Sequence, residues 1–210
     1  MSRSINAVTA ALVAWLACAH AVAAPPGLEE KLQSLRAGVL EEVAFREERH
    51  SDVLTKPAVF EGRLTYDAEA NVMSKLVEAP VPVSMTVDER YVTVTRDDKT
   101  RRLKLSKRPE LRALLAGFRG LLTGDTDALE ENFHLEFGDL DFGELDPSGS
   151  DATWRLTMTP RSRRLKKHVD ALLVDGNEQR VTAICTQMTN GDWQHMTFVA
   201  PPDTGQSPSD

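Results

Sequence analysis

The sequence predicts an α+β fold dominated by an antiparallel sheet, and three observations point there. Trp154, Leu156 and Met158 alternate with Arg155, Thr157 and Thr159, the period of a strand with one greasy and one wet face. That strand opens a meander. Pro160 stops it, having no N–H to give to a ladder. An apolar run over 169–174 leads into Asp175-Gly176, a tight-turn signal, and residues 181–188 return. Asn190-Gly191 turns again, and residues 193–199 close the series. Lastly, helical stripes are few, far too few to cover both faces of so large a sheet.

From the N-terminus onward, each element has its own warrant. Arg3, the apolar run 7–17 and Ala21-Val22-Ala23 have the pattern of a secretory signal peptide cut after Ala23. The run is too short to span a bilayer as a helix. Cys18 allows a lipid-anchored alternative, but Trp15 stands where that processing takes a small aliphatic side chain. The mature chain is therefore expected to be exported, soluble and periplasmic. Leu28, Leu32, Leu35, Val39 and Val43 recur at three- and four-residue steps, which predicts an amphipathic helix over 27–45. Phe60, Gly62, Leu64 and Tyr66 then alternate with Glu61, Arg63 and Thr65. Val81, Val83, Met85 and Val87 alternate in turn, as do Val92 and Val94, then Leu103 and Leu105. Asp88-Glu89 and Asp97-Asp98 are the turns between them. Pro109 opens a second helix with the stripe Leu111, Leu114, Leu115, Phe118, Leu121, Leu122, and Gly124 closes it. Asp127 with Glu130 suggests another short helix start. Phe133, Leu135 and Phe137 resume the strand period, and an acidic loop over 139–151 leads to the Trp154 strand. The tail 201–210 reads as disordered.

A strongly twisted sheet can curl around its own apolar face, with a few helices closing the mouth. The hollow then holds either side chains or a ligand, and periodicity does not choose between them.

Composition narrows the function. The net charge is −7, and the leader would remove only the charge of Arg3. An acidic exported protein is a poor nucleic-acid binder. Of the two cysteines only Cys185 survives cleavage, so no internal disulfide forms, and Cys185 reads as a small buried hydrophobe. His50, His134, His168 and His195 are scattered, with no H-E-x-x-H and no C-x-x-C. Ser148-Gly149-Ser150 lacks the glycines of a nucleophile elbow. Asp139, Asp141, Glu144 and Asp146 miss the spacing of a calcium loop. No catalysis, metal or cofactor is assigned. Arg161, Arg163, Arg164, Lys166 and Lys167 form a basic cluster, read as a solvated loop or as a contact for anionic headgroups.

The Trp154-Arg155-Leu156-Thr157-Met158-Thr159-Pro160 strand, the basic loop and the Asp175-Gly176 hairpin, in that order, resemble the C-terminal half of the LolA-like outer-membrane lipoprotein carrier family. Upstream the resemblance takes in Phe45-Arg46-Glu47-Glu48-Arg49 at the end of the N-terminal helix and the strand Gly62-Arg63-Leu64-Thr65-Tyr66. It also takes in the leucine-rich helix with Gly124-Asp125, so that it spans residues 28–199. Within the family the chain is similar to the divergent LolA-related proteins found with acyl-lipid or polyene-pigment biosynthesis.

The resemblance implies an open, incomplete β-barrel with an N-terminal helix and a short helical lid over an apolar cavity. The signal peptide would occupy 1–23, the carrier domain 24–200 and the tail 201–210. It implies a monomeric periplasmic carrier, not an enzyme, that takes the acyl chains of a lipid or lipoprotein from an inner-membrane donor towards an outer-membrane acceptor. Together with strand parity, it implies a cavity drawn from Leu64, Tyr66, Met85, Val87, Val92, Val94, Phe118, Trp154, Leu156 and Met158. One departure stands out. The family's lid-latching Arg-Pro falls on Ala68 and Glu69, so the latch is absent or passes to another cation such as Arg63 or Lys75. A hydrolase acting on an acylated substrate and a structural protein with a filled core are the alternatives.

Overall fold

The structure is a computed structural model that describes residues 27–36, 42–140 and 151–199. The expected signal peptide, the tail, Val39 and most of the acidic loop lie outside the described residues. Helix α1 (Leu28–Arg36) precedes strands β1 (Glu42–His50), β2 (Ala58–Asp67), β3 (Val72–Ala79), β4 (Val83–Val87), β5 (Tyr91–Arg96) and β6 (Lys99–Lys104). A short 3₁₀ turn leads to α2 (Pro109–Thr123), α3 (Thr126–Asn132) and β7 (Phe133–Asp139). After the acidic loop come β8 (Trp154–Pro160), a second 3₁₀ turn (Leu165–Lys167), β9 (Val169–Gly176), β10 (Val181–Met188) and β11 (Trp193–Phe198). All pair antiparallel in one 11-stranded sheet, ordered β6-β5-β4-β3-β2-β1-β11-β10-β9-β8-β7. β6 and β7 are its two free edges. The α+β, mainly antiparallel, open architecture is as predicted.

Three sequence expectations give way to long-range pairing. The helix predicted over 27–45 ends at Arg36, and Val43 and Phe45 belong to β1. β1 is the seam of the sheet. It pairs with β2 on one side and β11 on the other, and those two ladders outweigh a helical stripe that Val43 fits only by spacing. Next, β3 was not expected at all. Its inner face is Met73, Lys75 and Val77 and its outer face includes Leu76, 43% exposed, so the usual greasy-in, wet-out alternation is inverted. Finally, Asp175-Gly176 ends β9 rather than turning. The hairpin turn is 177–180, where Asn177 Oδ1 accepts from the N–H groups of Gln179 and Arg180. Gly176 is needed for space: a Cβ there would lie 2.2 Å from Cζ2 of Trp154.

The helices follow their end signals. Pro109 starts α2 and Gly124, at φ 63°, ends it. α3 is capped by Asp125, whose carboxylate accepts from the Ala128 N–H at 3.0 Å, two residues before the start read from Asp127.

The main core is built where α1, α3 and the second 3₁₀ turn converge on β7–β9. Leu28, Leu32, Leu129, Phe133, Leu156 and Leu172 are buried there together with Trp154, whose Nε1–H donates to the Asn177 carbonyl at 2.8 Å. A smaller cluster, Val87, Val92 and Leu105, lies under the other half of the sheet.

Candidate functional site

Ladder register places side chains on one inner face. Val43 lies opposite Leu64, Leu64 opposite Lys75, and Lys75 opposite Met85. Across the seam, Glu47 lies opposite Met196 and Met196 opposite Ile184. These residues, drawn from strands on both sides of β1, line a single cavity of about 380 Å³ together with α2. Flat strands do not share a pocket, so the sheet is concave and α2 spans the hollow. The strand wall also includes Tyr66, Met73, Val87, Val92, Val174, Val181 and Phe198. α2 contributes Leu111, Leu114, Leu115, Phe118, Leu121 and Leu122, the whole stripe read from the sequence.

Of the residues expected in the cavity, Leu64, Tyr66, Met85, Val87, Val92 and Phe118 lie on its wall. Val94 packs beside the small Val87–Val92–Leu105 cluster instead. Trp154, Leu156 and Met158 belong to the main core, at 1%, 0% and 0% exposure. They share the inner face, but helices bury them completely, and strand parity does not report depth.

α2 does not behave as a flap held by few contacts. Leu111 and Leu115 pack on the small cluster, while Ala113, Leu114, Phe118 and Leu121 pack on the main core. A Cβ at Gly117 would lie 2.6 Å from Cε2 of Phe133, so helix and core approach closely at that point. Leu122 lines the cavity without belonging to either cluster. Arg119 is half-buried, and its Nε finds no hydrogen-bond partner among the described residues.

The latch substitutes are also engaged elsewhere. Arg63 pairs with Glu42 and Glu78, each at 3.1 Å, in solvent. Lys75 pairs with Glu47 and sits 4.6 Å over the Phe45 ring. To reach Glu47 it must cross β2 at Gly62, which lies between Phe45 and Val77 and offers no side chain in the way.

Glu47 is the charged centre of the wall. It is 2% exposed and accepts from Nε and a terminal N of Arg49, both at 3.0 Å, and from Lys75. Burial alone would push its carboxyl up; the Arg49 hydrogen bonds and the Lys75 charge outweigh that and hold it below the usual carboxylate value. Burial lowers the Lys75 ammonium, with Glu47 opposing the shift. Of these inward-facing polar residues the sequence points only to Lys75, as a possible latch cation, and not to Glu47 or Arg49. Only the inverted polarity of Lys75 and Leu76 could have signalled them.

A second, wetter cleft of about 530 Å³ opens where the β1–β2 loop, the β10–β11 hairpin and the end of the basic loop meet. Arg49, His50, Lys167, His168 and Asp192 line it, so the basic run reaches this cleft only through its last residue. Among the described residues no three His, Cys, Asp or Glu side chains converge as metal ligands. Nor is any helix there long and apolar enough to cross a membrane.

The profile of a family described as outer membrane lipoprotein carrier protein LolA-like matches residues 19–204. The chain belongs to this LolA-like family. Among solved structures it is similar to lipoprotein LppX of Mycobacterium tuberculosis, at 12% identity and TM-score 0.43, covering 84% of this chain and 95% of that one. A LolA superfamily protein of Nitrosomonas europaea, NE2245, has 10% identity and TM-score 0.41, covering 82% and 91%. LprF of Mycobacterium bovis has 13% identity and TM-score 0.37, covering 89% and 98%. No curated protein sequence matches. Likenesses this distant say nothing of cargo, and for this LolA-like chain the cavity itself is the guide.

Proposed function

We propose that this LolA-like protein is a carrier that holds the acyl part of a lipid or lipoprotein in the cavity under α2 and performs no chemistry on it. The observation that carries the reading is the cavity wall, in which aliphatic side chains of α2 face aliphatic and thioether side chains of the sheet across open space. Its volume of about 380 Å³ falls within the roughly 300–1,000 Å³ of small-molecule sites. Burying an acyl chain there gains about 0.8 kcal/mol per methylene, so a modest length of chain is held firmly yet can leave. Leu64, Tyr66, Met85, Val87, Val92 and Phe118 are the proposed contacts, joined by Met73, Leu122 and Met196. The leader-like N-terminus supports export after cleavage behind Ala23, and with it a periplasmic route from an inner-membrane donor to an outer-membrane acceptor.

Native mass spectrometry of the monomeric protein purified from periplasm tests this. An acyl species bound one to one, and lost when Leu122 and Met85 are replaced by Asp, is the expected result. A protein that carries nothing and takes up no long-chain probe would refute it, and turnover of an acyl ester would favour the hydrolase reading. Intact mass also reports the N-terminus: a diacylglyceryl group on Cys18 would replace a soluble carrier by an anchored one.

A further inference from the structure

The cavity wall is not uniformly apolar, and its polar part is lopsided in charge. The charged residues that line it are Glu47, Lys75 and Arg180. Glu47 is already held by Arg49, two residues further along β1, so the group contains three cations and one anion in a chain whose net charge is −7. Arg180 donates to the Phe198 carbonyl at 3.1 Å and has no carboxylate partner among the described residues. Phe198 lies opposite Phe45 in the ladder, and the Lys75 ammonium rests on the Phe45 ring. Lys75 thus rests on the ring of one member of this ladder pair, and Arg180 holds the main-chain carbonyl of the other. Gln194 and Thr186, opposite each other on β11 and β10, add neutral polar groups to the same wall.

Such an arrangement is unfavourable around a purely hydrocarbon cargo. Lys75 has three N–H donors and one carboxylate partner. An acyl chain filling the space beside it would strip water from the remaining donors and leave excess positive charge in a low-dielectric pocket. A structural salt bridge would be balanced by its own partners, and this one is not.

We infer that the cavity selects amphiphiles whose single acyl chain carries an anionic head, a carboxylate or a phosphate, with the head inside the cavity against Lys75 and Arg180 rather than in solvent. This rests on the carrier reading and specifies its cargo. The head would supply the missing negative charge and accept the spare donors, while the chain runs towards Met85, Val87 and the α2 stripe.

The test needs only the mature protein, stripped of lipid, and displacement of a fluorescent acyl probe at pH 7 by four ligands of equal chain length. Palmitate and hexadecyl phosphate are expected to bind at least tenfold tighter than hexadecanol and methyl palmitate. The stronger of the two anions identifies the head. Lys75→Met should bring all four within about threefold while the neutral ligands bind no more weakly than before, and Lys75→Arg should retain the preference. Equal binding of charged and neutral ligands by the unaltered protein overturns the inference but leaves the carrier reading standing. A preference that persists undiminished in a folded Lys75→Met protein overturns it as well. Failure of all four ligands to bind overturns both.

Discussion

Leu156 on β8 and Leu64 on β2 point to the same face of one sheet, and each sits in a strand of regular alternation. Leu156 is wholly buried among Leu28, Leu129 and Phe133; Leu64 lines open space. The difference is what stands above each half. α1, α3 and the second 3₁₀ turn all settle on β7–β9, and α2 leans on them as well. Over β2–β5 there are, among the described residues, only α2, touching down at Leu111 and Leu115, and Leu105 of the first 3₁₀ turn. A sheet face covered from several directions closes into a core at crystal-like density. One bridged by a single helix keeps a hollow. Alternation thus tells which side chains face inward, and the cover over them decides whether they line the cavity or join the core.

The largest expected effect is on the filled side. Trp154→Ala removes a fully buried ring and its hydrogen bond to Asn177, and should cost about 3–5 kcal/mol in denaturant unfolding. Close behind, Glu47→Gln should destabilise by about 2–3 kcal/mol, since Arg49 and Lys75 lose their shared partner and Arg49, partly exposed, recovers some hydration. Because the folded carboxyl titrates below its ordinary value of 4.5, this contribution is fully present above that value and is lost as pH falls through the lower folded value. The stability gap between the two proteins should therefore shrink below about pH 4.5 in unfolding curves. A gap constant from pH 7 to pH 3 would show that the ion pairs contribute nothing.

Phe118→Asp falls on a residue shared by cavity and core. It should lower acyl-probe affinity at least tenfold and also cost about 2 kcal/mol of stability, so α2 is tested as bridge and wall at once. The sharpest contrast comes from paired truncations. Met158→Ala should cost about 2–5 kcal/mol, whereas Met85→Ala, beside existing space, should cost about 1 kcal/mol or less. Equal losses would mean the hollow is filled in solution. Smallest in stability is Leu122→Ser, within about 0.5 kcal/mol, with probe binding weakened several-fold, because that side chain serves neither cluster.

Much of the β4–β5 and β8–β11 sheet was legible, because Met85, Val87, Val92 and Leu156 stand in strands whose two faces differ in polarity. α2 was legible to the residue at both ends, where Pro109 and Gly124 act through backbone constraints that no neighbour can change. β1 and β3 were not. Their inner faces carry Glu47, Arg49 and Lys75, charges that turn inward because Glu47 accepts from Arg49 along β1 and from Lys75 across β2. That last pairing joins residues 28 positions apart in the chain, and no local pattern records it.

The sequence by itself determined the class of fold, the inward parity of most strands, the greasy stripe of α2 and the family, because these depend on side-chain period and on Gly and Pro backbone limits. Only the tertiary structure decided that Trp154, Leu156 and Met158 are core while Leu64, Tyr66 and Met85 border a void, and that a cationic patch lies within it. Depth, filling and charge balance are properties of surfaces brought together from distant parts of the chain, and they exist only once those surfaces meet.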